Sequence, residues 1–303
     1  MEAAVVNTLS PGDSVLAVSI GAFGDRFADI ADAYGASVER MDIEWGAAAD
    51  PDAIASALRR GNYKAVIVTH NETSTGVTNP LQSIAEVIHA ESDALILVDA
   101  VSSLGCVSLP IDDWGLDVVV TGSQKGWEVP PGLGMAVISE KAWEANKTAR
   151  MPRFYLDFKK HKELAAQGQT PFTPALPIMY ALDVSLQRMA IEGPEAIFAR
   201  HARIAEVARD SITELGLELF AQSGFASDTV TAVKVPDGID GKAIIAISRK
   251  KHDTVFAGGQ ARLAGQIFRL GHLGWVKKAD ILDAVFALRC VLTELDFVLP
   301  NNE

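Results

Sequence analysis

Short runs of apolar residues constrain this chain most. Ser14–Ile20, Ala65–Thr69, Ala94–Val98, Asp117–Thr121 and Met135–Ser139 are apolar at consecutive rather than alternate positions. A strand of that kind needs cover on both faces. Between the runs stand helix signals. Asp25–Tyr34 reads as a helix stopped by Gly35, and Gly21-Ala22-Phe23-Gly24 before it reads as a loop. Asp50 followed by Pro51 opens another helix, which Gly61 closes, and Pro80–His89 forms a third. Residues 2–9 read as a helix ending at the turn Pro11-Gly12-Asp13. Strands buried on both faces and alternating with helices predict an α/β fold with a mostly parallel sheet.

The pattern changes after about residue 150. Thr170–Pro177 is a proline-rich break, followed by a helical stretch over 178–215 interrupted at Gly193-Pro194. Strand-like runs at Thr229–Val235, near Val255 and at Gln266–Leu270 then mix with helices at Lys242–Lys251 and Lys278–Leu295. This predicts a large domain over 1–190 and a smaller α+β domain over 191–303.

Ligands of open α/β sheets bind beyond the carboxyl ends of the strands. There the sequence places Gly21–Gly24, His70–Gly76, Asp99–Ser103 and Gly122–Gly126. Two residues in these loops stand out. Lys125 sits between a buried strand and a Gly/Pro-rich stretch; a desolvated lysine can lose its proton and attack a carbonyl, whereas an ordinary loop lysine is a solvated charge. Asp99 closes an apolar strand, where a carboxylate needs a partner, or serves as a cap or ion-pair member. Together they meet the demands of pyridoxal 5'-phosphate: a lysine for its aldehyde and a carboxylate for its pyridine nitrogen.

Other chemistries find less support. With 27 Lys and Arg against 39 Asp and Glu, the formal charge is −12, which disfavours nucleic acid as a partner. The two cysteines, Cys106 and Cys290, have neither disulfide nor metal spacing, so a cytoplasmic setting is expected. No apolar run reaches the roughly 20 residues of a membrane helix. P-loop, G-x-S-x-G and metal-ligand patterns are absent from the sequence. Gly21–Gly24 follows a strand as a dinucleotide loop would, but it lacks the full glycine pattern and carries the bulky Phe23.

The stretches His70–Gly76, Leu97–Gly105 and Thr121–Gly126, in this order and spacing, resemble the class V aminotransferases. The branch they look most like is the alanine–glyoxylate and serine–glyoxylate (serine–pyruvate) group. The likeness runs from Pro11 to Gly271. It implies the type I fold of pyridoxal-phosphate enzymes and a transaminase acting on alanine or serine and on glyoxylate or another small 2-oxo acid. It further implies a role for each matching residue. Lys125 would bind the cofactor as a Schiff base and carry the proton between substrate and cofactor. Asp99 would pair with the ring nitrogen. Val101 and Phe23 would pack on the two ring faces. Thr73 would lie near the ring and Gln124 beside the phosphate. Arg269 would grip the substrate carboxylate. Thr173 would reach the phosphate of a neighbouring subunit, making the enzyme a homodimer. Taken singly, Phe23 and Val101 also read as core, Arg269 as a surface or ion-pair arginine, and Thr173 as a helix cap. His272, close to Arg269, is a further candidate for the substrate pocket.

Members of this family carry a small-residue turn with Ser or Thr and Gly before the position of Met1, where backbone N–H groups hold the phosphate. The resemblance therefore implies a chain that starts late. The alternative reading is a catalytically impaired fragment or a non-catalytic subunit like the soluble hydrogenase subunit. A cysteine desulfurase needs a mobile cysteine, a context neither Cys106 nor Cys290 has.

Overall fold

The computed structural model describes residues 1–300. Its large sheet is built from β1 (Ser14–Ser19), β2 (Ser37–Asp42), β3 (Ala65–Thr69), β6 (Leu95–Asp99), β7 (Val118–Gly122) and β8 (Gly134–Ile138). The short β4 (Asn71–Glu72) and β5 (Val77–Thr78) form a hairpin between β3 and β6. The strand order is β2-β1-β3-β6-β7-β8, parallel throughout except that β8 runs against β7. Thr69 lies opposite Asp99, and Asp99 opposite Val120, so the strand ends that carry the predicted loops are flush. This is the α/β architecture the apolar runs predict.

Side chains alternate across the sheet and meet helices on both sides. Val15, Ala17, Ile67, Leu95, Leu97, Val118 and Val120 pack against α1 (Glu2–Thr8), α2 (Ala22–Ala33) and α5 (Glu140–Thr148). On the opposite face, Leu16, Val18, Val66, Val68, Ile96, Val98 and Val119 pack against α3 (Pro51–Arg60) and α4 (Leu81–Glu91). Each fully buried Val, Leu or Ile contributes on the order of 1.5–3 kcal/mol of hydrophobic stabilisation. The exposed β2, Ser-Val-Glu-Arg-Met-Asp, has no apolar run and so gives no strand signal in sequence. Conversely, β8 has the apolar run yet leaves Val137 exposed at the other edge of the sheet.

The connection onward contains α6 (Phe158–Ala165), α7 (Leu176–Glu192) and α8 (Pro194–Glu214). The C-terminal part places α9 (Gly241–His252), α8 and α10 (Lys278–Glu294) against an antiparallel sheet. That sheet consists of β9 (Val230–Lys234), β10 (Ala257–Gly258) and β11 (Ile267–Gly271), in the order β10-β11-β9. A separate core of Ile204, Ala208, Ile212, Phe256, Phe268, Leu288 and Val291 holds it together. Among the described residues, no helix is long and apolar enough to cross a membrane.

The α3 start shows local chemistry at its simplest. Pro51 occupies the first turn, and the Asp50 carboxylate accepts the Asp52 N–H at 3.0 Å. Asp50→Ala is expected to remove about 1 kcal/mol of stability. The check is the denaturant midpoint at an unchanged slope.

Candidate active site

The chemistry gathers at the carboxyl ends of β1, β3, β6 and β7. Asp99 ends β6 and is buried. Its Oδ1 accepts the Val101 N–H at 2.9 Å. Burial pushes its pKa up; that hydrogen bond and the positive charges of the chain's amino terminus, Arg26 and Lys125 oppose the rise. The loop behind Asp99 is locked to the loop after β3. Asn71 Nδ2 donates to Ser102 Oγ at 2.8 Å, and Ser102 Oγ donates back to the Asn71 carbonyl at 2.7 Å.

Lys125 follows β7 on a tight turn closed by the Glu128 N–H bonding to the Lys125 carbonyl at 3.0 Å. Burial and then the Arg269 charge push its amine pKa down, while Asp99 acts in the opposite sense. The amine therefore sits in the fields of both an acid and a guanidinium. Glycine at 126 is required here: a Cβ would lie 2.6 Å from the Leu104 carbonyl oxygen and 2.8 Å from Cys106 Sγ.

Arg269 comes from β11 and reaches across to the turn of the β4–β5 hairpin. Its Nη1 donates to the Thr73 carbonyl at 2.6 Å, and its Nε and Nη2 donate to the Gly258 carbonyl at 3.0 and 2.8 Å. Thr73 and Arg269, 196 residues apart in sequence, thus meet directly. Phe23, in the first turn of α2, is half-buried with the Arg26 guanidinium 4.8 Å above its ring. No motif marks Arg26 in sequence; its one signal is the three-residue spacing from Phe23 on a helix face.

The structure thus brings Asp99, Val101, Lys125, Phe23, Thr73 and Arg269 to one region. Gln124 is next to Lys125 and exposed. Thr173 lies on an exposed segment, and among the described residues no hydrogen bond joins it to the others. Both ring nitrogens of His272 are engaged away from these residues. The residue is fully buried, bonded to Thr231 Oγ1 at 2.9 Å and to the Asp228 carbonyl at 3.1 Å, and burial pushes its pKa down to about 3. His70 is likewise buried, edge-on to Trp114, with its pKa lowered to about 4. Cys106 is fully enclosed and its thiol is pushed up to about 12, so it is inert as a nucleophile.

The family profile for class-V aminotransferases matches residues 2–261. The chain belongs to the class-V aminotransferase family. It is 50% identical over 300 residues to the soluble hydrogenase small subunit of Synechococcus sp. (strain PCC 6716), covering 98% of this chain and 78% of that one. It is 38% identical to the serine–glyoxylate aminotransferase of Hyphomicrobium methylovorum, covering 97% and 74%. The crystal structure of alanine–glyoxylate aminotransferase from Nostoc sp. superposes with a TM-score of 0.93 at 32% identity, covering 96% of this chain and 78% of that one.

Class-V aminotransferases depend on pyridoxal phosphate, and the residues present here fit that group at its ring end. Asp99 has one described hydrogen bond to its carboxylate, leaving acceptor capacity for a ring N–H. The Lys125 amine has no hydrogen bond or ion pair among the described residues and is driven toward its neutral, nucleophilic form. Thr69 Oγ1, in register with Asp99, is buried and has no hydrogen-bond partner among the described residues.

Proposed function

We propose that this class-V aminotransferase moves an amino group from alanine or serine to glyoxylate or another small 2-oxo acid. Pyridoxal 5'-phosphate would be held between α2 and the ends of β3, β6 and β7. The observation that carries the reading is the placement of Lys125 under the opposing influence of Asp99 and Arg269. The similarity to the Hyphomicrobium serine–glyoxylate enzyme and to the Nostoc alanine–glyoxylate enzyme supports the substrate class.

When bound, the cofactor supplies an electron sink for the negative charge that develops at the substrate α-carbon. The chain's residues do the rest. Asp99 keeps a proton on the ring nitrogen. Val101 and Phe23 would confine the ring between them, Thr73 would lie beside it, and Gln124 would lie next to the phosphate. Lys125 would hold the cofactor and move the proton at the α-carbon, a task for an amine of lowered pKa. Arg269 fixes the substrate carboxylate.

The working unit is a homodimer in which Thr173 reaches the partner's phosphate. Supporting this, α7 exposes Leu176, Tyr180, Val184 and Ile191, a four- to seven-residue repeat on one side of the helix with no cover in the single chain.

Purified chain loaded with pyridoxal phosphate and mixed with L-alanine or L-serine alone is expected to convert the cofactor to its amine form. Adding glyoxylate restores the starting spectrum. Uptake of the cofactor without conversion by any amino acid supports the non-catalytic subunit instead.

A further inference from the structure

One buried carboxylate touches the elements that hold Phe23, Thr73 and Arg269. Glu72, on β4, is fully buried. Its Oε2 accepts the Phe23 N–H at 3.0 Å and the Gly24 N–H at 3.1 Å. Its Oε1 accepts both the Ser74 N–H at 3.0 Å and the Ser74 hydroxyl at 2.6 Å. Ser74 Oγ then accepts the Ala22 N–H at 2.9 Å. The three leading N–H groups of α2 are thus bound by the β4–β5 hairpin, about fifty residues away in sequence, and the helix has no local side-chain cap. Burial pushes the Glu72 pKa up, while its hydrogen bonds from Ser74 and Gly24 and the positive end of the helix favour the negative charge placed there.

The approach depends on Gly21. A Cβ at that position would lie 2.4 Å from Glu72 Cγ and 2.5 Å from Ser74 Oγ. On its other side, Glu72 is followed directly by Thr73, whose carbonyl takes Arg269 Nη1. The Glu72 charge also favours the charged form of Arg269.

We propose that Glu72 is a positioning residue for the transamination. Through the first turn of α2 it sets the Phe23 ring against the cofactor, and through the hairpin it sets the Thr73–Arg269 contact that grips the substrate. This rests on the reading of the site given above.

The test compares the wild-type chain with Glu72→Gln, Glu72→Asp and Ser74→Ala. In the cofactor-free chain, amide exchange at Phe23 and Gly24 in Glu72→Gln is expected to quicken about tenfold, while the Val66–Val68 amides keep their protection. In the loaded chain, the visible circular dichroism per bound cofactor changes. The KM for the amino acid rises about tenfold, and kcat changes less, because a charge-assisted contact on the bound substrate is misaligned. Glu72→Asp recovers part of each effect. Ser74→Ala, which leaves the buried charge in place, moves the same readouts less and serves if Glu72→Gln does not fold. A lowered melting temperature with wild-type exchange at Phe23 and Gly24, wild-type dichroism and wild-type KM overturns the proposal, because Glu72 is then structural only. A wild-type chain that takes up no pyridoxal phosphate overturns the aminotransferase reading instead, and the exchange arm still separates the two failures.

Discussion

Lys125→Ala is expected to lower turnover by about 10³-fold or more and to abolish the lysine-dependent visible absorbance of the loaded chain. Both Asp99 and Arg269 act on the Lys125 amine, and its removal takes the nucleophile from between them. The fold is expected to survive, because the Lys125 side chain has no hydrogen bond or ion pair among the described residues, and the bond from the Glu128 N–H to its carbonyl is backbone and is kept. Removing the amine also relieves repulsion with the Arg269 guanidinium. A melting temperature within a few degrees of wild type, measured beside the activity, separates loss of chemistry from loss of structure. The pH dependence has a definite sign. Capture of the cofactor aldehyde needs the neutral amine, and the pKa of Lys125 is lowered from its ordinary value near 10.5. The capture rate should therefore rise with pH and level off at a lower pH than for a free lysine. A plateau no earlier than that of free lysine overturns this account of the amine.

Part of this arrangement is written locally in the sequence. The run Ala65–Thr69 is β3 residue for residue, and the Asp50, Pro51 and Gly61 signals bound α3 as they predict. Because parallel strands end on one edge, the segments after the buried runs carry Asp99 and Lys125 in sequence, and the structure sets Asp99 at the end of β6 and Lys125 just past the end of β7. What failed was whatever depends on contacts distant in sequence. Gly21–Gly24 reads as a loop because no local residue caps a helix there; in the structure α2 begins at Ala22, stabilised by Glu72 and Ser74. β2 lacks an apolar run because it is an exposed edge strand, and it is ordered by its pairing with β1. His272 stands close to Arg269 in sequence, but its ring is held by buried hydrogen bonds with Thr231 and Asp228, partners its local sequence does not announce. The likeness to known enzymes supplied roles for Phe23, Thr73 and Arg269 that their local sequence could not, since the contacts that define those roles cross from one part of the chain to another.

Arg269→Lys is the second large effect, expected chiefly in binding. A guanidinium has five N–H donors. Three are spent on the Gly258 and Thr73 carbonyls. That leaves one N–H on each terminal nitrogen, the number a planar carboxylate accepts as a bidentate partner. A lysine has three donors on one atom and a different reach, so it cannot satisfy both buried carbonyls and a carboxylate together. The loss of a charge-assisted hydrogen bond, about 1.5–3 kcal/mol, corresponds to a rise in KM of roughly ten- to a hundredfold. The fall in kcat should be smaller, because the carboxylate is bound alike before and during proton transfer. Steady-state kinetics with alanine measure both, and an amine lacking the carboxylate is the control. Arg269→Lys should leave the weak reaction of that amine nearly unchanged. An equal loss with both substrates would show that Arg269 acts through the fold, by holding Thr73 and Gly258, and that the substrate carboxylate is bound elsewhere.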